Sequence, residues 1–179
     1  MIRDIKKILI SEEEILKKVK DLGSKISEDY KEKDLLIVGI LKGSVVFTSD
    51  LIKNITIPCE IDFMAVSSYG SSSETSGVVR ILKDLDHGIE GKDIIIVEDI
   101  IDSGVTLDYL LKYLKTRKAN SIEIISLLTK PSRRRVDINV KYCGFEVPDE
   151  FLVGYGLDYS EKYRNLPFIG ILKEEIYIN

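Results

Sequence analysis

The chain has 179 residues, 44% hydrophobic and 31% charged, with 12 Gly and 4 Pro, which suits one folded domain with a sizeable core and excludes a disordered or fibrous chain. A net charge of -4 excludes a surface that holds nucleic acid mainly by neutralising its phosphates, so an anionic ligand has to be gripped locally. Cys59 and Cys143 are too few for a disulfide framework or a zinc site and read as small core residues in a reducing compartment. The absence of a membrane-length apolar run or a signal-peptide core leads to a cytoplasmic expectation.

Ser11 to Glu14 has the form of a capping box, and Ile15, Leu16, Val19, Leu22 and Ile26 follow at helical spacing, so a first amphipathic helix is predicted. Leu35 to Leu41 is an apolar run of strand length, and Val45 to Lys53 reads as the helix after it. Ile57 to Val66 predicts a second strand, and Ser67 to Gly77 a polar Ser/Gly-rich loop of a length that usually serves function. Further strands are predicted over Val78 to Leu82, Asp93 to Val97 and Ile122 to Leu128, and a helix over Thr106 to Lys118. This alternation predicts an α/β domain with a mainly parallel central sheet, whose ligands lie beyond the carboxyl ends of its strands. The Tyr-rich tail from Gly144 to Asn179 reads as a small β-type subregion.

Chemistry concentrates between Val97 and Leu107. There an apolar strand runs into Glu98 and Asp99, then into the turn Asp102-Ser103-Gly104, and then into a helix. Hydroxyls and free amides at a helix start suit a phosphate dianion, and two carboxylates at a strand end suit ribose hydroxyls or a hydrated magnesium ion. Each residue alone also fits a solvated strand end or a helix N-cap; the ordered set fits those readings poorly. Neither a G-x-x-x-x-G-K-[ST] nor a G-x-G-x-x-G motif occurs, which weakens kinase-like and dinucleotide-binding readings.

The stretch resembles the phosphoribosyl-diphosphate signature of type I phosphoribosyltransferases, in particular the hypoxanthine-guanine phosphoribosyltransferases. The resemblance extends through Gly39 to Ser44, Ser68-Tyr69-Gly70, Lys83 to Asp86, Lys130-Pro131 and Asp149 to Tyr159. It implies one domain over residues 1–179, with a β-rich hood formed by the N-terminal segment and about 144–179. The implied reaction joins hypoxanthine, and guanine as a second substrate, to the sugar of 5-phosphoribosyl 1-diphosphate with Mg2+ as cofactor. A homodimer or homotetramer, no membrane partner and no nucleic-acid partner are also implied.

Carried onto this sequence, the resemblance makes Asp102, Ser103, Gly104, Val105 and Thr106 the 5′-phosphate loop. It assigns Glu98 and Asp99 to the ribose and metal, and Asp102 additionally to N7 of the purine as general base. Lys42, Gly43 and Arg164 are assigned to pyrophosphate, with a non-proline cis peptide in the Leu41-Lys42-Gly43 turn. Ser68 and Tyr69 begin a mobile loop. Lys130 faces the purine 6-oxygen, Phe151 stacks on the base, Leu152 offers its backbone, and Asp158 binds a second metal near the 2-position. Without the resemblance, Lys130 reads as a solvated lysine, Phe151 as core, and Lys42 and Arg164 as surface cations.

His87 sits in a turn with no nucleophile pattern around it, which disfavours catalysis or metal binding. The basic run Arg133 to Arg135 reads as a solvated face or subunit contact; it is the one support for a competing reading, a sensor of the same fold that binds nucleic acid. A third reading keeps the enzyme and changes the base: Lys130 with Phe151 disfavours a pyrimidine and leaves xanthine open.

Overall fold

The computed structural model describes residues 1–68 and 79–178. Six strands form the main sheet in the order β4-β3-β2-β5-β6-β7: β2 (Leu35–Leu41), β3 (Glu60–Ser68), β4 (Val79–Lys83), β5 (Asp93–Ile101), β6 (Ser121–Thr129) and β7 (Tyr142–Glu146). All neighbours are parallel except β3 and β4. The protein is thus an α/β domain with a mainly parallel sheet, as its strand and helix alternation predicts.

Period-two alternation places successive residues of β2 and β5 on opposite faces. Leu35, Ile37, Ile95 and Val97 pack on one face with α1 (Glu12–Asp29) and α2 (Val45–Lys53), through Ile15, Val19, Phe47 and Leu51. Leu36, Val38, Ile94 and Ile96 pack on the other face with α3 (Val105–Lys115), through Leu107, Leu110 and Leu114. Burying each such side chain contributes about 1.5–3 kcal/mol against the entropy of ordering the chain. The predicted capping box forms: the Glu14 amide donates to Ser11 Oγ at 3.3 Å, and the Ser11 amide to Glu14 Oε2 at 2.8 Å.

A second, three-stranded antiparallel sheet combines β1 (Ile5–Ile10), β8 (Leu152–Val153) and β9 (Ile169–Leu172) in the order β1-β9-β8, followed by the short α4 (Glu174–Tyr177). Several boundaries and burials differ from those the sequence predicts. Gly144 to Glu146 belongs to β7, the edge of the main sheet, because Tyr142 and Phe145 pair with β6. Cys143 is exposed rather than core, since it points away from the face on which Tyr142 is buried. Strand β5 also runs past the predicted Val97 to Ile101, so Glu98 and Asp99 lie within a paired strand. Tyr69 and most of the predicted Ser67 to Gly77 loop lie outside the described residues, whereas Ser67 and Ser68 extend β3 and pair with Arg80 and Val79.

The small sheet's connection meets the main body at Gly156. A Cβ on Gly156 would lie 2.1 Å from the Gly43 carbonyl oxygen, and its φ of +101° is already one that side-chain-bearing residues avoid. Tyr155 reinforces the junction by donating its hydroxyl to Asp50 Oδ2 on α2 at 2.6 Å. Gly156→Ala is therefore expected to cost about 1–3 kcal/mol from φ strain alone, lowering the unfolding midpoint by roughly 2–4 °C per kcal/mol. Gly88→Ala, with nothing within 4 Å of the added Cβ, is expected to leave it unchanged. Thermal unfolding of the two variants side by side checks both.

Candidate active site

The site lies at the carboxyl ends of β2, β5 and β6, with the segment after β7 closing one side. Strand β5 ends at Ile101, and the turn Asp102-Ser103-Gly104 leads into α3. Gly104 makes that turn with φ +81° as the helix N-cap residue, correcting the alternative that Asp102 caps α3. Its Cβ would meet Ile138 Cδ1 at 2.8 Å, so the glycine is needed for packing beneath the turn as well as for its backbone angle. Glu98, Asp102, Ser103, Gly104 and Thr106 line a cavity of about 140 Å³ at the start of α3, where Val105 begins the helix. A helix of 11 residues points its unpaired amides and positive dipole end into this space, which suits a phosphate dianion.

A larger cavity of about 440 Å³ adjoins it, sharing Ile100 and Asp102 as lining. Lys130, Phe151, Leu152 and Asp158, the four residues assigned to the base, all line this second space. Lys130 is not solvated: it is 7% exposed, and its ammonium donates to the Glu150 carbonyl at 2.7 Å. Phe151 stacks on Tyr177 with ring centroids 4.7 Å apart and meets Tyr159 edge-on at 5.5 Å. The cavity therefore offers a flat aromatic wall, a cation and a carboxylate, the groups a planar heterocycle with both donors and acceptors needs.

The third part of the site lies around the turn after β2. The Leu41-Lys42 peptide is cis. A Cβ on Gly43 would fall 1.7 Å from Asp99 Oδ2, so a glycine there leaves the room in which that carboxylate sits. Arg164 donates to the Gly156 carbonyl at 2.8 Å and pairs with Asp158 at 2.9 Å. Glu161 ties the two cations together, lying 3.1 Å from the Lys42 ammonium and 3.4 Å from Arg164. Lys42 remains an exposed cation, whereas Arg164 is half-buried, so only the first keeps the surface character both have on sequence alone.

Burial pushes both strand carboxylates up: Asp99 to about 6, and Glu98 well above the ordinary carboxylate range with the Asp99 charge adding to the effect. Arg164 holds Asp99 down and Asp158 pushes it up, which places the three charges within one field. Such a pair is short of positive charge. No group of three His, Cys, Asp or Glu side chains converges as a metal cage among the described residues. Two adjacent hard carboxylates nevertheless fit Mg2+, which binds proteins through one or two carboxylates and takes its other oxygens from phosphate and water.

Several lining residues carry no mark in the sequence. Ile100 floors both cavities, and Tyr177 and Leu157 wall the larger one. Glu161 has a faint signal in its spacing of three from both Asp158 and Arg164. His87 is exposed. The basic run is not a free patch either, because Arg133 pairs with Asp102 at 2.7 Å and Arg134 donates to Thr129 Oγ1 at 2.7 Å.

The family described as "Phosphoribosyl transferase domain" matches residues 7–160. The chain is 58% identical to the hypoxanthine-guanine phosphoribosyltransferase of Bacillus subtilis over 99% of its own length and 98% of that protein. It is 52% identical to the bifunctional protein TilS/HprT of Listeria monocytogenes, of which it spans 27%, over 99% of its own length. Among solved structures, a hypoxanthine phosphoribosyltransferase from Staphylococcus aureus superposes with a TM-score of 0.97 at 54% identity, covering 100% of this chain and 97% of that one. By sequence and by fold, the chain belongs to the phosphoribosyltransferase family, within the group of hypoxanthine-guanine phosphoribosyltransferases.

Proposed function

We infer that the chain transfers the 5-phosphoribosyl group of 5-phosphoribosyl 1-diphosphate to hypoxanthine or guanine, giving IMP or GMP and pyrophosphate in purine salvage. The observation that carries this reading is the adjacency of the two cavities. A phosphate-sized space at the start of α3 shares Asp102 with an aromatic-walled space containing Lys130. A ribose 5-phosphate seated in the first presents its anomeric carbon toward a base held in the second.

In this reading the amides and hydroxyls of Ser103, Gly104, Val105 and Thr106 hold the 5′-phosphate, while Glu98 and Asp99 face the ribose hydroxyls. Lys42, the amide of Gly43 and Arg164 receive the leaving pyrophosphate. Phe151 supplies the stacking face, a contact of about 1–3 kcal/mol by analogy with base stacking elsewhere, and the Leu152 backbone meets the base edge. Mg2+ would be held by Glu98 and Asp99, with a second ion at Asp158; when bound it neutralises the diphosphate as that group leaves. As the N9–C1′ bond forms and the C1′–oxygen bond to pyrophosphate breaks, the N7 proton passes to Asp102.

Nucleotide formation with hypoxanthine, guanine, xanthine, adenine and uracil, offered separately with the diphosphate and magnesium, tests the reading. Turnover with the first two and none with adenine is expected; no turnover with any base refutes it. Lys130→Met should weaken hypoxanthine capture by about 10- to 100-fold, the worth of a hydrogen bond from a charged donor, as read in KM for the base. Asp102→Asn should lower kcat by about 10²- to 10⁴-fold with diphosphate affinity kept, and near-normal turnover removes it as the base. Because Asp99 holds its proton more tightly folded than unfolded, ionising it costs stability as pH rises from its ordinary value of 3.8 through about 6. Without magnesium, Asp99→Asn should therefore unfold at higher temperature than the parent above that pH and at the same temperature near pH 4; equal midpoints at both would show that Asp99 is not held out of water.

A further inference from the structure

The triple-arginine run is left over by the roles assigned above. Backbone hydrogen bonds lace its segment to the end of β5 on either side of Asp102: the Lys130 amide donates to the Ile101 carbonyl at 3.0 Å and the Arg135 amide to the Ser103 carbonyl at 3.0 Å. Between these anchors the chain makes the short 3-10 turn Pro131–Arg133. The turn delivers Arg133 to the wall of the larger cavity, with its Nε 2.7 Å from Asp102 Oδ1 and a terminal nitrogen donating to Asp149 Oδ1 at 3.2 Å.

We propose that Arg133 is a positioning residue for the transfer reaction, holding the Asp102 carboxylate at the angle from which it meets N7 of the base; this rests on the reading of Asp102 as the base. Asp102 Oδ1 is shut off from solvent and has no aligned hydrogen-bond donor, although the side chain as a whole is 43% exposed. Arg133 thus occupies the hidden oxygen by charge and leaves Oδ2 to the cavity. Asp149 anchors the guanidinium from the other side, so it cannot swing freely onto the base. The Asp102 pair is too exposed to matter much for stability, Arg133 itself being 49% exposed. Its effect belongs to the orientation of a reacting group, where small displacements are costly.

The test is a double-mutant cycle on the full chain, measuring hypoxanthine turnover for the parent, Arg133→Ala, Asp102→Asn and the double variant. Arg133→Ala is expected to lower kcat roughly tenfold, within the range of coupling between contacting groups, with KM for the diphosphate unchanged. Arg133→Lys should recover part of the loss. In the Asp102→Asn background the same change is expected to do almost nothing. Equal losses in both backgrounds, or no loss in either, overturn the proposal while leaving Asp102 as the base; near-normal turnover of Asp102→Asn overturns the base reading instead. Should Arg133→Ala fold poorly, Asp149→Asn, which removes the outer anchor, takes its place with a smaller loss of kcat expected, and an unchanged kcat there counts against the proposal.

Discussion

Everything in the site depends on a place where no side chain fits. Gly43 lies between the Asp99 carboxylate and Gly156, with an added Cβ falling 1.7 Å from the first, and the Gly43 carbonyl itself 2.1 Å from where a Cβ on Gly156 would be. Three segments far apart in sequence come together there: the turn after β2 and the connection between the small sheet's strands by main-chain contact, and the end of β5 through the Asp99 carboxylate. The close backbone approach of Gly43 and Gly156 fixes two of them more rigidly than long side chains could, because it leaves no rotamers to vary. The turn after β2, the strand carboxylates and the wall of the larger cavity are consequently held as one unit.

That unit gathers charges that would repel or be stranded if they were not matched. Glu98 and Asp99 are adjacent acids inside a sheet strand, and burial makes their ionisation costly. Around them the cations are shared out: Lys42 and Arg164 meet at Glu161, Arg164 also pairs with Asp158, and Arg133 bridges Asp102 and Asp149. Most of these pairs are half-exposed and contribute little to folding. Their consequence is geometric, since Lys42, Arg133, Arg164, Asp102 and Asp158 each rest against a defined partner.

The fold was largely legible because its signals are local. The capping box at Ser11, the apolar run of β2 and the leucine face of α3 each declare an element through their own residues, and the structure places them where the sequence does. The end of β5 was misjudged because Glu98 and Asp99 look like a strand terminus, yet pairing to β6 carries the strand two residues beyond them. Ile5 to Ile10 mixes charges with apolar residues and declares no strand by its own pattern; only its partner β9, more than 150 residues away, makes it β1, and it is the resemblance that points to the N-terminal segment as part of a β-rich hood. The site shows the same division. The turn from Asp102 into α3 reads as a motif, whereas the burial of Lys130, the approach of Tyr177 from α4 and the path of Arg133 are tertiary facts with no sequence neighbour to announce them.

Under the proposed function, Lys130 would turn such a tertiary fact into selectivity. Its ammonium has three donors and no acceptor, and at 7% exposure it has almost no water to satisfy them. One proton is taken by the Glu150 carbonyl at 2.7 Å, and the ammonium lies 3.7 Å from Asp149 Oδ1 at the wall of the larger cavity. A 6-oxo group is another carbonyl and completes the set. A 6-amino group would bring donors to donors and leave a buried N–H without an acceptor, and that penalty exceeds what an apolar pocket exacts for a wrong shape. Under the proposed function, discrimination between 6-oxopurines and adenine would follow from the burial of one amine, on a residue whose backbone amide is tied to Ile101 at the end of β5.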